Sequence, residues 1–277
     1  MAKARRFVLV VNFQIRGTTR LMGIIGDPIA QAKSPAAINP LFAACGADIA
    51  FVPFHVPASD LFTIWAGLKA VPNLVGFGIT LPHKQTAIEL CDSVDPVAAR
   101  VGAVNLVRRE RDGSFRGYQF DGRGFVGGLQ SKGIAIEGRD VLIIGAGGAA
   151  AAIAFALAEA GAASIKISNR TVEKAEAIAE SVNKGFKREI AKAGTPEPEA
   201  AQLVVNATSL GLRDSDVLPL DAELLQPGMT LAEVIAEPET TRILGMAQAK
   251  GVEIHSGIHM ITGQARLIVD HICEIWG

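Results

Sequence analysis

A glycine-rich turn halfway along the chain constrains the fold more than any other feature. Residues 141–152 read VLIIGAGGAAAA, an apolar run followed by a glycine cluster and then by alanines. Such a run is typical of a strand that is covered on both faces of a parallel sheet. Gly145 suits the tight turn, Gly147 lets a pyrophosphate approach the backbone, and Ala150 is small enough for close packing of helix on strand. Glycines also end strands for structural reasons alone, so the surrounding sequence has to support a nucleotide site.

The next predicted strand gives that support. Ser164–Ser168 follows a predicted helix over Ala149–Ala160 and ends in Asn169-Arg170-Thr171. A site for NAD usually carries an acid at this point, because a carboxylate accepts hydrogen bonds from the ribose hydroxyls. This chain has no acid there, and Arg170, with Lys174 nearby, offers the positive charge that suits a 2′-phosphate. The pattern favours NADP and leaves NAD possible; the structural alternative is a pair of solvated charges at a helix start.

The segments on either side alternate between strand-like and helix-like patterns, which predicts an α/β protein. Before the turn, the predicted strands are Leu21–Ile25, Ile49–Phe54, Leu74–Ile79 and Val104–Arg108, and the predicted helices are Ala36–Cys45, Asp60–Ala70 and Gln85–Cys91. From the turn onward, the predicted strands are Val141–Ile144, Ser164–Ser168, Leu203–Asn206, Thr230–Ile235 and Val252–His255. Ser34 is predicted to cap the first helix, with Pro35 in its first turn. Lys187–Pro198 is polar and is predicted to be a surface loop.

The position of the turn predicts the domain organisation. The nucleotide-binding unit begins only after 140 residues of other sequence, so an N-terminal α/β substrate domain should precede a Rossmann-type dinucleotide-binding domain, with the active-site cleft between them. A helix over Met260–Trp276 is predicted to return to the first domain. The expected division is residues 1–120 with 258–277 for substrate binding and catalysis, and residues 121–257 for NADP.

Composition excludes several classes of function. Lys and Arg number 27 against 28 Asp and Glu, so there is no electrostatic case for nucleic acid or an anionic membrane. No stretch approaches the roughly 20 apolar residues that span a bilayer. A small-molecule ligand is therefore expected. Cys45, Cys91 and Cys273 lack paired or metal-type spacing, which predicts reduced thiols in the core of a cytoplasmic protein.

The N-terminus needs a separate interpretation. Lys3, Arg5 and Arg6 precede the apolar run Phe7–Val11, but this run is too short for a signal peptide and lacks a cleavage site. Residues 1–20 are interpreted as an extra strand, an arm that pairs with a partner, or an upstream start. A monomer and a homodimer are both compatible with the sequence.

Polar side chains follow the strands of the first domain. The strand Leu74–Ile79 leads into Thr80 and Lys84, while Asn105 and Asp121 come from later segments. Ligands usually lie at the carboxyl edge of such strands. A lysine, an amide and a carboxylate near a nicotinamide suit oxidation of a secondary alcohol, because the hydroxyl loses a proton as its carbon loses a hydride. The proton acceptor must then stand within about 3 Å of that oxygen.

These motifs, in this order, resemble the shikimate dehydrogenase family from Met22 to Gln264. The resemblance rests on Gly26–Ile29, Ser34-Pro35, Thr80, Pro82, Lys84, Gly102–Asn105, Asp121-Gly122, Gly145–Ala149, Asn169–Thr171, Asn206–Ser209, Gly257, Met260 and Gln264. It implies that Lys84 and Asp121 are the catalytic pair, with Lys84 moving the proton. It also implies that Asn105 and Gln264 contact substrate hydroxyls, while Ser34 and Thr80 hold a substrate carboxylate.

The resemblance also implies the residues that hold the cofactor. They are Gly145, Ala146, Gly147, Gly148, Ala149, Asn169, Arg170, Thr171, Lys174, Thr208, Ser209 and Gly257. No metal is expected, because His255 and His259 have Gly257 between them and no acid suitably near. Asp121 is predicted to cap a helix over Gly124–Leu129 in addition to any catalytic role.

The chain departs from the family pattern where the substrate should lie. The family's second serine, asparagine, threonine, Asn-Thr pair and tyrosine are replaced here by Ala32, Gly78, Leu106, Gln119-Phe120 and Ala236. Two donors to a substrate carboxylate are thus lost, and each lost hydrogen bond to a charged group costs roughly 1.5–3 kcal/mol. Leu106 and Phe120 would make the pocket more apolar if they face it. We expect a retained reaction type with an altered substrate and a weak affinity for shikimate.

The sequence therefore predicts a cytoplasmic NADP-dependent oxidoreductase that reversibly reduces 3-dehydroshikimate, or a related cyclic hydroxy acid, to shikimate. The resemblance implies a place in the shikimate pathway of aromatic amino acid biosynthesis. One alternative is a quinate or shikimate dehydrogenase that uses NAD. Another is a non-catalytic NADP-binding sensor, against which the joint retention of Lys84, Asn105 and Asp121 argues.

Overall fold

The chain builds two six-stranded sheets, and the computed structural model describes them over residues 14–198 and 200–277. The apolar run Phe7–Val11 lies outside the described residues. Within residues 14–19 the chain makes a turn and no strand, and Arg16 pairs there with Asp48 at 3.2 Å. The interpretation of residues 1–13 as a strand or an arm therefore stays a prediction.

The first sheet forms from residues before the glycine turn. Its strands and helices are β1 (Arg20–Gly26), α1 (Ser34–Ala44), β2 (Ile49–His55), α2 (Leu61–Lys69), β3 (Leu74–Ile79), α3 (Ala87–Leu90), β4 (Ser93–Val94), α4 (Pro96–Val101), β5 (Leu106–Arg109) and β6 (Phe115–Tyr118). The strand order is β2-β1-β3-β5-β6-β4. The three strands β2, β1 and β3 run parallel, whereas β5 is antiparallel to both of its neighbours. Every residue of β3 is buried, as its unbroken apolar sequence predicts.

The second sheet follows the first in the chain. Its elements are α5 (Asp121–Ser131), β7 (Asp140–Ile144), α6 (Gly148–Glu159), β8 (Ser164–Ser168), α7 (Val172–Phe186), β9 (Ala191–Ala193), β10 (Leu203–Asn206), β11 (Thr230–Glu233), α8 (Arg242–Ala249), β12 (Glu253–His255) and α9 (Ile258–Trp276). The strand order β12-β11-β10-β7-β8-β9 is parallel throughout. This is the order of a doubly wound dinucleotide-binding sheet. The predicted α/β class and Rossmann-type half are confirmed.

Three local predictions are wrong. The segment Lys187–Pro198 is not all loop, because Ala191–Ala193 pairs with β8; three residues are too few for a strand pattern to stand out. Ser34 does not cap α1, since Lys33 holds the cap position and no side chain bonds there, although Pro35 does lie in the first turn. The cysteines are free thiols, but Cys45 is exposed rather than in the core.

Helix α5 joins the two halves through glycines that let backbones touch. A Cβ on Gly122 would lie 2.3 Å from the carbonyl oxygen of Ala152 in α6, and a Cβ on Gly263 in α9 would lie 2.3 Å from that of Gly124. Helix α9 also packs on α1 and β3 of the first sheet. Glycine is a poor helix former, so tertiary packing stabilises α5. Among the described residues, no helix is long and apolar enough to cross a bilayer.

We expect Gly263→Ala to destabilise the protein by about 1–3 kcal/mol, because the added methyl group forces α9 away from α5. Gly127→Ala is the matched control on the same contact: its nearest neighbour would be 3.9 Å away. That control should be neutral, or more stable by up to about 1 kcal/mol, since alanine favours helix. Urea unfolding of both variants measures the difference. Equal stability of the two variants would show that the α5–α9 contact adapts without cost.

Candidate active site

The carboxyl ends of strands from both sheets face one cleft of about 810 Å³. Strand β3 of the first sheet ends at Ile79, and the cleft is lined by Thr80 and Lys84, which follow it. Strand β7 of the second sheet ends at Ile144, and the turn that begins at Gly145 lines the opposite side. The arrangement brings the predicted catalytic lysine and the predicted cofactor turn to the same space.

A buried ion pair lies on the first-sheet side of this cleft. Lys84 Nζ is 2.5 Å from Asp121 Oδ2, and the side chains are 14% and 2% exposed. Asn105 donates through Nδ2 to Asp121 Oδ1 at 2.9 Å and to Gln264 Oε1 at 2.8 Å. Four predicted site residues from three parts of the chain thus form one hydrogen-bonded network.

Backbone hydrogen bonds fix Lys84 in place. Its carbonyl oxygen accepts from the amide of Val104 at 2.8 Å, and Thr80 donates its amide to Ile25 at 2.9 Å. The buried imidazole of His83, next to the lysine, lies with Nε2 2.7 Å from the carbonyl oxygen of Val56. The segment after β3 is therefore bonded to three neighbouring segments, which limits where the ammonium group can lie.

Asp121 does not cap a helix as predicted. It is the first residue of α5, and Phe120 holds the cap position without a side-chain bond. The carboxylate oxygens instead accept from Lys84 and Asn105. Gln119 also positions Asp121, because its Oε1 accepts the backbone amide of Asp121 at 2.7 Å. In the sequence Gln119 stands out only as a departure from the family pattern, so this supporting role was not predicted.

The wall of the cleft beside the ion pair is mostly apolar. Ser34 and Thr80 line the cleft as predicted, and Ala32, Gly78, Leu106 and Ala236 line it too. Phe120 does not. Its ring lies 6.3 Å from that of Tyr118 and 5.5 Å from that of His271. Of the two apolar substitutions that were expected to alter the pocket, Leu106 does so directly and Phe120 packs behind it.

The glycine turn fits a pyrophosphate. Gly145 has φ +115°, a conformation that L side chains rarely adopt, and a Cβ at Gly147 would meet nothing within 4 Å. Helix α6 begins at Gly148, directly after this open backbone. Its first N–H groups have no partner within the helix and lie at its positive end, which suits an anion. The residues present therefore fit a dinucleotide.

Most of the predicted cofactor residues line the cleft, and three do not. Those that line it are Gly145, Ala146, Gly147, Gly148, Ala149, Asn169, Arg170, Thr208 and Ser209. Thr171 and Lys174 are exposed outside the cleft lining. Gly257 lies against backbone, since a Cβ there would be 2.4 Å from the carbonyl oxygen of Ile235. For Gly257 the structure gives a packing reason for glycine that does not depend on a ligand.

A buried carboxylate that the sequence did not reveal holds the loop after β10. Glu233 accepts from Asn206 Nδ2 at 2.7 Å and from Thr241 Oγ1 at 2.6 Å. Asn206 Oδ1 in turn accepts from the amide and hydroxyl of Thr208 at 3.1 and 2.6 Å. Burial raises the pKa of Glu233, and these hydrogen bonds oppose that effect. An acid at the end of an apolar strand was the only signal in the sequence.

His255 and His259, for which the sequence predicts no metal, lie close together. The rings of His255 and His259 are 4.6 Å apart, and His255 Nε2 is buried without a hydrogen-bond partner. Among the described residues, no group of three or more His, Cys, Asp or Glu could hold a metal ion. Burial lowers the pKa of His255 to about 4, with smaller contributions from His259 and Lys132.

The neutral state of His255 predicts a loss of stability in acid. Between its ordinary pKa near 6.5 and its folded pKa of about 4, the unfolded chain binds a proton that the folded chain does not. The free energy of unfolding therefore falls as pH falls through this range, by up to about 3 kcal/mol from this group. Urea unfolding at pH 7 and pH 5 tests this, with His255→Phe expected to lose less stability than the unmutated chain. Identical pH dependence in both would contradict the prediction.

A dinucleotide turn that faces a lysine–aspartate pair across a cleft defines a nicotinamide-dependent oxidoreductase. Two family models match this chain: the shikimate dehydrogenase substrate binding domain over residues 24–107, and shikimate / quinate 5-dehydrogenase over residues 129–209. The chain belongs to the shikimate dehydrogenase family, which confirms the resemblance seen in the sequence.

Individual proteins show the same relationship. A shikimate dehydrogenase (NADP(+)) of Moorella thermoacetica is 38% identical over 266 residues, covering 91% of this chain and 87% of that protein. A shikimate dehydrogenase crystallised with NADP⁺ superposes with a TM-score of 0.86 at 31% identity, covering 95% and 93% of the two chains. The ligand-free 5-ketofructose reductase of a Gluconobacter strain gives a TM-score of 0.76 at 34% identity, with 93% and 92% coverage. Relatives of this fold thus carry names for more than one substrate.

Proposed function

We propose that this chain catalyses the reversible, NADP-dependent reduction of a ketone to a secondary alcohol on a polyhydroxylated substrate, of which 3-dehydroshikimate and shikimate are the type pair. The observation that carries the proposal is the Lys84–Asp121 pair with Asn105 and Gln264 in a cleft shared with the glycine turn. Relatives named for shikimate and for 5-ketofructose support a ketone and a polyol as the common chemistry.

The proposed roles follow from the hydrogen bonds. Lys84 Nζ gives a proton to the carbonyl oxygen in reduction and accepts it from the hydroxyl in oxidation. Asp121 holds the ammonium group toward the cleft and, through its other oxygen, aligns Asn105. Asn105 and Gln264 offer amide groups to hydroxyls next to the reacting carbon. NADPH, when bound, supplies the hydride that adds to the carbonyl carbon.

The proposed cofactor preference rests on Arg170. It is exposed, lines the cleft and follows β8, where no acid is present to repel a 2′-phosphate. The names of the NADP(+)-dependent relatives support this choice. The predicted alternative, a quinate or shikimate dehydrogenase that uses NAD, requires that Arg170 contribute nothing to affinity.

The proposed domain division places residues 1–120 with 258–277 and gives residues 121–257 to the cofactor. Packing of α9 on α1 and β3 supports the return of the last helix to the first sheet. Helix α5 packs on both α9 and α6, so it lies at the boundary. A cytoplasmic enzyme, as a monomer or a homodimer, stays part of the proposal.

Lys84→Ala should lower kcat by about 10²- to 10⁴-fold, which is the usual contribution of a positioned proton donor, while NADP binding is retained. Asp121→Asn, which keeps the size of the side chain, should also reduce kcat strongly. Absorbance at 340 nm with shikimate or quinate and NADP or NAD, at mildly alkaline pH, measures turnover. Lys250→Ala, which removes an ammonium group far from the cleft, is the control. Unchanged turnover in Lys84→Ala would show that Lys84 does not carry the proton. Absence of turnover in the unmutated chain would favour the non-catalytic sensor, against which the names of the catalytic relatives argue.

Arg170→Ala should raise the KM for NADP by about 10- to 100-fold, because a charge-assisted hydrogen bond contributes roughly 1.5–3 kcal/mol. The KM for NAD should change little, since NAD lacks the 2′-phosphate. Lys174→Ala provides the comparison: Lys174 is near Arg170 in sequence but outside the cleft lining, so its effect should be smaller. An equal rise in both KM values for Arg170→Ala would show that the guanidinium does not read the 2′-phosphate.

A further inference from the structure

Two kinds of side chain line the substrate side of the cleft. The polar ones form the network of Lys84, Asp121, Asn105 and Gln264, whose amide and carboxylate groups suit hydroxyls. The apolar ones are Met22, Ile24, Ile38, Phe51, Leu106 and Ile268. All six are buried, with at most 7% of each exposed. A substrate that reaches the network must therefore also contact hydrocarbon.

Among the described residues, three cations line the cleft: Lys33, Lys84 and Arg170. None of them is available to a substrate carboxylate. Lys84 pairs with Asp121, and Arg170 follows β8 on the side of the glycine turn. Lys33 Nζ lies 2.5 Å from Glu237 Oε2. A carboxylate on the substrate would thus find no unpaired cation on this side of the cleft.

The Lys33–Glu237 pair crosses the cleft mouth. Lys33 precedes α1 of the first sheet, and Glu237 follows β11 of the second. Both side chains are about half exposed, at 41% and 51%, so the pair itself contributes little to stability. Its effect on a ligand is larger, because Glu237 both neutralises Lys33 and repels a second carboxylate. Glu237 also stands beside Ala236, where a tyrosine would have offered a hydroxyl.

One position on the apolar wall, Gly78, has room for a Cβ atom. A Cβ on Gly78 would meet only Ile24, at ordinary contact distances of 3.4–3.6 Å. Ala32 packs against the same apolar cluster. At Gly78 the neighbours do not demand glycine, so close packing does not explain the missing side chain there.

We infer that the substrate is an uncharged polyhydroxy ketone, of the cyclic polyol or sugar type, and that the bare wall with the Lys33–Glu237 pair selects against carboxylates. This inference rests on the proposed function and narrows its substrate class. The carbonyl carbon gains the hydride from NADPH and its oxygen gains the proton from Lys84, giving the alcohol and NADP⁺. The remaining hydroxyls of the substrate meet Asn105, Gln264, Ser34 and Thr80 without a charge to bury.

The test is NADPH oxidation by the full chain with three ketones: 3-dehydroshikimate, which carries a carboxylate, and an inosose and 5-ketofructose, which do not. We expect at least one uncharged ketone to be reduced with a kcat/KM at least tenfold above that of 3-dehydroshikimate. Preference for 3-dehydroshikimate would overturn the inference and leave the proposed function intact. Turnover of none of the three by the unmutated chain or its variants would overturn both.

Variants that add groups able to bind a carboxylate give a second test, because they should improve the binding of 3-dehydroshikimate. Glu237→Gln frees Lys33, and the double variant Ala32→Ser with Gly78→Asn returns hydrogen-bond donors to the wall. Each should lower the ratio of the KM for 3-dehydroshikimate to the KM for an uncharged ketone by about tenfold or more. Glu239→Gln removes the same charge from an exposed residue of the same loop that does not line the cleft, and it should change neither. No gain for 3-dehydroshikimate in either variant would overturn the role assigned to the wall and the pair.

Discussion

The close seat of α5 between α6 and α9 determines where the chemistry can occur. Gly122 and Gly124 let the helix touch both neighbours, and Asp121 is its first residue. A side chain at the first position of a tightly held helix has little freedom, so its carboxylate is fixed relative to both sheets. The backbone contacts of α5 thus hold the Asp121 carboxylate in one place.

The Lys84–Asp121 ion pair, which α5 positions, is not explained by stability alone. Taking an ammonium and a carboxylate out of water costs several kcal/mol, and their attraction offsets this only when the remaining lone pairs are satisfied. Here Asn105 donates to the second carboxylate oxygen of Asp121, and Gln119 accepts the backbone amide of Asp121. A network so fully bonded around a group that still lines the cleft indicates selection for reaction rather than for folding.

Sequence patterns predicted what depends on local periodicity and missed what depends on distant partners. The limits predicted for β3, β8 and β10 agree with the structure, and the glycine turn predicted the type of the second sheet. The caps assigned to Ser34 and Asp121 failed, because a side chain's partner is decided by tertiary packing and not by its place near a helix start. Lys33–Glu237 joins residues from opposite halves, and no spacing rule reveals such a pair.

In the proposed reaction, the groups that move the proton and the groups that select the substrate belong to different parts of this structure, so one set can change without the other. Lys84 is positioned by backbone bonds of its segment and Asp121 by the packing of α5, so the placement of both depends on the fold around them. A wall residue such as Gly78 has ordinary contacts only, and its replacement disturbs little. We therefore expect substitutions on the wall to change the stability of the fold little and the choice of ligand more. A family with this architecture can keep hydride transfer while the group that its substrate carries opposite the reacting carbon changes.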